Sequence, residues 1–255
     1  MGEKKSIKAE REVIHGKMIA DRNPESIWGW KTPAGRARAL RRAEWISASA
    51  NLGPGRTVLE IGCGTGMFTE MFALSGARIV AVDISYDLIE IARSRGLPDK
   101  QVVFLQKRFE DCDVDGPFDA VIGSSVLHHL DIQEALAKIY ELLKPGGIMS
   151  FAEPNMLNPQ IMVQKNVPLI KARMGDSPDE TAFFRRRIRH LLLKAGFAGV
   201  SILPCDWLHP ATPASLIDIV AKAGRILEKL PVIREFAGSL YIRCHRPGEG
   251  YISHE

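Results

Sequence analysis

Between residues 57 and 153, short apolar runs alternate with segments in which apolar residues recur at helical spacing. The short runs are rich in β-branched residues, which predicts strands that are buried on both faces. They comprise residues 57–61, 78–82, 102–105, 120–123 and 148–152. The segments between them, such as Tyr86 to Arg95, carry apolar residues on one face and are predicted to be helices. Strands that alternate with helices favour a doubly wound α/β fold, in which helices cover both faces of a parallel sheet.

The regions on either side of this alternation have a different character. Residues 1–50 are basic and helical in pattern, and a segment containing Trp28 and Trp30 interrupts them. We expect them to form a helical cap in front of one domain that spans residues 51–255. The stretch at about 154–182 is apolar and is punctuated by proline and asparagine. We expect it to be a helical insertion after the fifth strand, serving either as a lid over a ligand site or as a helix packed on the domain.

Two further helices are predicted in the last third of the chain. Ser177-Pro178-Asp179-Glu180 has the pattern of a capping box with proline at the first helical position, which predicts a helix from there to Lys194. An amphipathic helix is predicted from Thr212 onward, with apolar residues at helical spacing as far as Leu230. For this second helix we favour packing on the core or covering a ligand site. Contact with a membrane surface is the lesser alternative.

The composition indicates a folded domain but does not indicate which molecules it binds. Of the 255 residues, 45% are hydrophobic and 25% are charged, as is usual for a folded domain, and the net charge is only +4. The four cysteines are far apart and lack metal-site spacing, so we expect reduced thiols and no metal centre. The first residues lack the apolar core of a signal peptide, and no run is long enough for a transmembrane helix. A cytoplasmic location is therefore expected.

The segment Glu60-Ile61-Gly62-Cys63-Gly64-Thr65-Gly66 lies between a predicted strand and a predicted helix. Glycines allow a sharp turn and a close approach of the backbone to a ligand. The dinucleotide-binding fingerprint G-x-G-x-x-G would require glycine at position 67, where this chain has Met67. Asp83 ends the second strand, where a carboxylate can accept both hydroxyls of a ribose. We favour that role over capping of the next helix, for which Ser85 is equally suited.

At this point the sequence resembles the class I S-adenosylmethionine-dependent methyltransferases. Four motifs in the same order carry the resemblance: VLEIGCGTG from Val58, VAVDIS from Val80, FDAVIGSSVLHHL from Phe118 and LLKPGG from Leu142. The resemblance implies a mostly parallel, seven-stranded sheet whose last strand inserts antiparallel near the edge. It also implies S-adenosyl-L-methionine as the cofactor and methyl transfer as the reaction.

Carried over residue by residue, the resemblance implies a set of cofactor contacts. The glycines of the loop would border the methionine part, with Glu60 in the same motif, Asp83 would hold the ribose, and Ile84 would lie against the adenine. Glu110, or the backbone beside Phe109, would meet the adenine amino group, although Arg108 replaces an aspartate found in many relatives and Asp111 competes for the contact. Ser124 would face the sulfonium. The implied cofactor residues are Glu60, Gly62, Gly64, Gly66, Asp83, Ile84, Phe109, Glu110 and Ser124.

Candidate catalytic residues follow the fourth and fifth strands. His128 and His129 lie at a strand-to-helix junction, and histidine is a good general base near neutral pH. One of the two is expected to be structural. Glu153 ends the fifth strand and is as well explained by a salt bridge as by a chemical role. A base is required only if the acceptor must lose a proton, since displacement at a sulfonium depends chiefly on alignment.

The acceptor is expected to be a small or lipid-like molecule, because the sequence motifs of amino-directed nucleic-acid methyltransferases are missing after the fourth strand. An RNA or tRNA methyltransferase and a catalytically silent cofactor-binding module remain the alternatives. A nucleotide-dependent oxidoreductase is disfavoured by the glycine spacing and by Glu60. Peripheral membrane contact is left open, and the oligomeric state is not predicted.

Overall fold

The computed structural model describes residues 2–174, 176–177 and 180–248, with side chains from residue 8 onward. Within this part of the chain, seven strands form one sheet in the order β3-β2-β1-β4-β5-β7-β6. The strands β1 to β5 are parallel, whereas β7 runs antiparallel to both of its neighbours. Their bounds are β1 Thr57–Ile61, β2 Arg78–Asp83, β3 Val102–Gln106, β4 Phe118–Ser124, β5 Leu143–Pro154, β6 Ala198–Cys205 and β7 Ser239–His245. The predicted fold class is confirmed.

Helices lie before the sheet, between its strands and in the insertion after β5. Three of them precede β1: α1 Gly2–Ala20, α2 Pro24–Ile27 and α3 Pro33–Ser49. The others are α4 Met67–Ala73, α5 Tyr86–Arg93, α6 Ile132–Leu142, α7 Pro159–Asn166, α8 Pro168–Arg173, α9 Arg185–Lys194 and α10 Ile217–Leu227. None of the described helices is long and apolar enough to cross a membrane.

The sheet separates two apolar clusters, and the alternation of side chains along β1 shows why. Leu59 and Ile61 point to the cluster that contains Leu136 of α6 and Ile188 of α9. Val58 points to the opposite cluster, which contains Ile46 of α3. Successive side chains of a strand face opposite sides, so a strand buried on both faces is apolar at most positions, and in β1 the buried Glu60 is the exception. Both faces of the sheet are therefore covered by helices.

The strand order reverses between β1 and β4. The chain moves outward from β1 through β2 to β3 and then returns to pair β4 with the other side of β1. In open α/β sheets, ligands bind in the crevice at such a switch point, outside the carboxyl ends of the strands. The loops after β1, β2, β4 and β5 meet there.

Two predictions about helices are corrected by the structure. The helix predicted to begin at Ser177 begins instead at Arg185, because Phe183 pairs with the chain after β5: its N–H donates to Pro154 and its carbonyl accepts from Met156. Pro178 and Asp179 of the predicted capping box lie outside the described residues. The second correction concerns α10, which was expected to pack on the core or to cover a ligand site. Of its residues, all of them described, only Gly224 is buried.

Candidate functional site

The loop after β1 turns sharply through three glycines with positive φ: 66° at Gly62, 54° at Gly64 and 72° at Gly66. This backbone region favours glycine. Gly62 has a second requirement, because a Cβ there would lie 2.3 Å from Cγ2 of Val126. The loop after β4 thus packs directly on the glycine loop. On the other side, the ring of Trp28 lies 3.4 Å from the place of a Cβ on Gly64, so the segment between α2 and α3 covers the loop.

Asp83, at the end of β2, is fixed by two backbone donors. Its Oδ2 accepts from Gly64 N at 2.8 Å, and its Oδ1 accepts from Ser85 N at 2.9 Å. Burial raises the pKa of this carboxyl, although both backbone hydrogen bonds act to lower it. Ser85 caps α5 through its own hydroxyl, which accepts from Leu88 N. The side chain of Asp83 is therefore not occupied in capping that helix, and each carboxylate oxygen retains a lone pair toward the cavity.

Glu60 precedes the glycine loop. It is buried, its Oε2 has no hydrogen-bond partner among the described residues, and burial raises its pKa to about 8. A carboxyl with that pKa is mostly protonated at neutral pH. Glu60 is absent from the described residues that line the cavity at this switch point. The structure thus places Glu60 at the end of β1 and outside the described lining of the cavity.

Glu153 holds the start of the loop after β4. Its Oε1 accepts from the backbone N–H groups of Val126 and Leu127, both at 2.9 Å, and its Oε2 lies 2.6 Å from Nδ1 of His128. Burial by itself would lower the pKa of His128, but the charge and hydrogen bond of Glu153, together with Glu180, raise it to about 9. Glu153 is fully buried and its pKa is lowered by the same pair in spite of its own desolvation. The two residues form a buried ion pair.

His129 is paired with a residue that sequence reasoning did not single out. Its Nδ1 lies 3.1 Å from an oxygen of Glu12 in α1, an ionic contact without hydrogen-bond geometry, and its ring centroid lies 4.2 Å from that of His128 with the two ring planes tilted by 40°. Ser177 donates its hydroxyl to the same glutamate at 2.8 Å. The N-terminal helix therefore contributes a carboxylate to the site. No local pattern could indicate it, because Glu12 is one of several charged residues in α1.

Glu180 completes what we call the His–Glu cluster, namely His128, His129 and Glu180. Oε1 of Glu180 lies 3.5 Å from Nε2 of His128, and potential ligand atoms of the three residues lie within 4.8 Å of one another. Such a set could hold a metal ion, which the sequence did not predict. Lys165 of α7, however, contacts Glu180 and is 3.0 Å from Asp176. A lysine ammonium thus already supplies positive charge at this point.

The residues predicted to meet the adenine lie together at another part of the cavity wall. Ile84, Phe109 and Glu110 all line the cavity. Glu110 accepts from Asp131 N at 3.2 Å and lies 3.4 Å from Nε of Arg108. The competing Asp111 pairs with Arg108 and is 70% exposed, outside the cavity lining. Of the two acids, Glu110 has the position that a ligand contact requires.

Ser124 lies where the middle of α3, the end of β4 and the start of β7 meet, and a buried arginine of α3 contacts both strands. Arg42 donates to Ser124 Oγ at 3.1 Å, to Ser125 Oγ at 2.9 Å and to Ser239 Oγ at 2.8 Å. It also lies 3.5 Å from the carboxylate of Asp206. Its guanidinium and that of Arg38, one turn earlier, stand over the ring of Trp30. The sequence singled out the tryptophan segment but neither arginine.

Most of these groups line one cavity of about 1220 Å³, among them Glu12, Arg42, Asp83, Glu110, Ser124, His128, His129 and Glu180, whereas Glu60, Asp111 and Glu153 lie outside its described lining. One wall consists of the glycine loop, Asp83 and the loop after β4. The remaining walls come from α1, from α3 and the tryptophan segment, from α7 and from the loop after β6 that carries Trp207 and His209. Sites for one drug-sized ligand measure roughly 300–1,000 Å³, so this cavity has room for two small molecules side by side.

Comparison with known proteins agrees with this architecture. A family model described as a methyltransferase domain matches residues 59–149. That match spans the glycine loop, Asp83 and the loop after β4. Residues 59–149 of this chain thus form a methyltransferase domain of the class I S-adenosylmethionine-dependent type.

Curated relatives are similar to about half of this chain. A ubiquinone biosynthesis O-methyltransferase of Xylella fastidiosa is 35% identical over 128 residues, which are 47% of this chain and 52% of the relative. The chain thus spans about half the length of the curated relatives that it matches.

Two solved structures show the same fold at low identity. The N-methyltransferase NodS of Bradyrhizobium japonicum, in complex with S-adenosylhomocysteine, has a TM-score of 0.56 and 18% identity, covering 85% of this chain and 89% of that one. The [4+2]-cyclase SpnF has a TM-score of 0.61 and 18% identity, covering 91% and 95%.

Proposed function

We propose that this methyltransferase transfers the methyl group of S-adenosyl-L-methionine to a small or lipid-like acceptor. The observation that carries the proposal is the junction of the glycine loop and Asp83 in the wall of a cavity large enough for donor and acceptor together. The match of residues 59–149 to a methyltransferase domain supports the choice of donor. Similarity to a ubiquinone biosynthesis O-methyltransferase supports a small-molecule acceptor.

Asp83 is suited to hold the donor's ribose. Each of its oxygens accepts one backbone hydrogen bond and has a further lone pair, so two neighbouring hydroxyls can each donate to it. With Asp83 as this anchor, Gly62 and Gly64 lie beside the methionine part. We assign Ile84 and Glu110, which line the same cavity, to the adenine. We assign these residues, with Phe109 and Ser124, to the cofactor site. Glu60 and Gly66 do not line the cavity, so we assign Gly66 to the turn of the loop and Glu60 to the buried strand that precedes it.

Methyl transfer forms the bond between the acceptor atom and the methyl carbon while the carbon–sulfur bond breaks. The sulfonium becomes a neutral thioether, and a hydroxyl acceptor must lose its proton to a base. His128 is poorly suited to be that base, because a pKa of about 9 keeps it protonated at neutral pH. His129 lines the cavity with Glu12 beside its Nδ1, and a carboxylate in that position orients an imidazole for proton transfer at the other nitrogen. We therefore favour the Glu12–His129 pair as the general base and Glu153 as a positioning residue.

The roles of the two histidines can be separated by kinetics. His129→Asn should lower kcat about 10²-fold or more for a hydroxyl acceptor, which is the usual size of a general-base contribution, with little change in cofactor affinity. His128→Asn should chiefly lower stability, because it leaves Glu153 unpaired. Equal losses of turnover and cofactor affinity in the His129 variant would show that it supports the fold of the site.

The proposed reaction is tested with donor carrying a radioactive methyl group. The purified chain is incubated with that donor and separate acceptors: a catechol, a polyprenyl phenol, a primary amine and transfer RNA. We expect label in the phenolic or amine acceptors, and none when Asp83→Ala replaces the wild type. Label in transfer RNA would favour the nucleic-acid alternative. Tight donor binding without label in any acceptor would favour a silent module or a different reaction, as the cyclase on the same fold illustrates.

A further inference from the structure

Helix α10 touches the rest of the protein along a narrow strip. Trp207, which lines the cavity, packs against Gly224, where its Cβ lies 3.0 Å from the place of an added Cβ. Glu228, just after the helix, accepts two hydrogen bonds from Arg41 at 2.8 and 2.6 Å. These contacts fix which side of α10 faces inward. The helix is thereby held beside the cavity with its opposite side in solvent.

The side that faces solvent is apolar. Ile219 and Ile226 are 66% and 62% exposed, and Val232, after the helix, is 74% exposed. With about 3.6 residues per turn, positions 216, 219, 223, 226 and 230 form one stripe along the helix. We call this stripe, with Val232, the α10 patch: Leu216, Ile219, Ala223, Ile226, Leu230 and Val232. A soluble helix usually turns such a stripe to the core, so its outward direction requires a partner that covers it.

Basic side chains run beside the α10 patch. Lys222, Arg225 and Lys229 recur at the same helical spacing, are exposed, and have no acidic partner among the described residues. Of the acids nearby, Glu228 pairs with Arg41 and Glu235 pairs with Arg185, whereas Asp218 in the first turn of α10 is exposed and offsets one of the three positive charges. An exposed apolar stripe flanked by unpaired lysine and arginine is suited to lie at the headgroup level of an anionic bilayer.

The insertion after β5 forms a second exposed apolar surface near the α10 patch. Asn158, the cap of α7, donates to the carbonyl of Phe236 at 2.9 Å, which joins the insertion to the segment that follows α10. Exposed apolar residues of the insertion include Met162, Val163 and Leu169, the last 80% exposed. Ile161 of α7 and Leu208 beside α10 line the cavity. Both apolar surfaces thus flank the same cavity.

We infer that the α10 patch is a docking surface for an anionic lipid bilayer, which brings the cavity to the membrane surface. A second copy of the chain fits less well, because a symmetric pair would bring the same unpaired basic residues of both copies together. α10 has 11 residues and lies on the surface, so the contact is peripheral. Binding to the bilayer needs neither the donor nor turnover and stands independently of the proposed reaction.

Vesicle flotation tests the inference with the full chain. One set of vesicles contains equal parts of phosphatidylglycerol and phosphatidylcholine, and the other contains phosphatidylcholine alone. The wild type should float with the anionic vesicles at low salt and weakly with the neutral ones. The double variant Ile219→Gln/Ile226→Gln should lower the partition coefficient at least about tenfold, because two apolar side chains lose their insertion. Lys222→Gln/Arg225→Gln should remove the preference for phosphatidylglycerol.

The matched control is Leu74→Gln, which makes a comparable change at a side chain that is 87% exposed at the end of α4. It should float like the wild type, and circular dichroism should show unchanged helix content in every variant. Wild-type chain that floats with neither vesicle would overturn the inference, as would an Ile219/Ile226 variant that floats as well as wild type. A wild-type dimer that the same variant converts to monomer, without vesicle binding, would assign the patch to self-association and also overturn it.

Discussion

Replacement of Glu153 by glutamine tests how the loop after β4 is held in place. The carboxylate is fully buried and accepts from two backbone N–H groups at 2.9 Å and from His128 at 2.6 Å. Glutamine has nearly the same size as glutamate but carries no charge. Its amide nitrogen donates hydrogen bonds at the place where one carboxylate oxygen accepts them. Breaking one side of a buried ion pair costs about 3–5 kcal/mol, a large share of the roughly 5–15 kcal/mol that stabilises a typical domain.

The ion pair of Glu153 and His128 also makes the stability of the protein depend on pH. The pKa of His128 is raised from 6.5 to about 9, so its contribution to stability is complete below about pH 6.5 and is lost as the pH rises through 9. The pKa of Glu153 is lowered, so its contribution holds above its ordinary value of 4.5 and is lost as the pH falls below it. The wild type should therefore lose about 3 kcal/mol between pH 6.5 and 9.

Urea unfolding followed by circular dichroism at several pH values measures both effects. Glu153→Gln should be less stable by about 3 kcal/mol or more at pH 6.5 and should show a smaller loss toward pH 9. Glu44→Gln, at an exposed site on α3, is the matched control and should change stability by less than about 0.5 kcal/mol. A Glu153 variant that differs from wild type by less than about 1 kcal/mol, with an unchanged pH profile, would refute the reasoning.

Two further predictions concern the glycine loop and the His–Glu cluster. Gly62→Ala should destabilise the protein by about 1–3 kcal/mol more than Gly55→Ala, because both positions have positive φ but only Gly62 has a neighbour, Val126, in the space that a Cβ would take; equal unfolding midpoints for the two variants in urea would contradict this. Treatment with a chelator followed by gel filtration should leave the methyl-transfer rate unchanged, because Lys165 already supplies positive charge beside Glu180. Loss of activity that a divalent cation restores would instead assign a metal to the cluster.

The sheet and the cofactor loop could be predicted because their determinants are local. A buried strand requires a short apolar run, and the glycine turn requires residues without a Cβ at positions 62 and 64. In both cases a few consecutive residues determine the local structure. Glu12 and Glu180 reach the site through tertiary contacts with His129 and His128. No residue near either glutamate in the sequence identifies it as part of a ligand site.

The helices show a different limit of sequence reasoning. The amphipathic pattern of α10 was recognised, but a pattern is the same whether its apolar stripe faces the core or solvent. The expected capping box is also partly present, since Glu180 accepts from Ser177 N at 3.0 Å, yet the helix begins only at Arg185. Pairing of Phe183 with the chain after β5 decides that start, and this tertiary contact overrides the local pattern.

Calorimetric titration of S-adenosylhomocysteine into the wild type and Asp83→Ala tests the central claim most directly. Loss of two charge-assisted hydrogen bonds to a ribose, each worth about 1.5–3 kcal/mol, should weaken binding at least about a hundredfold. Circular dichroism must show that the variant is folded, since Gly64 N and Ser85 N lose their acceptor. We expect S-adenosylhomocysteine to bind clearly to the wild type and to bind barely to the folded variant. Undiminished affinity in the folded variant would contradict the assignment of this site to the cofactor.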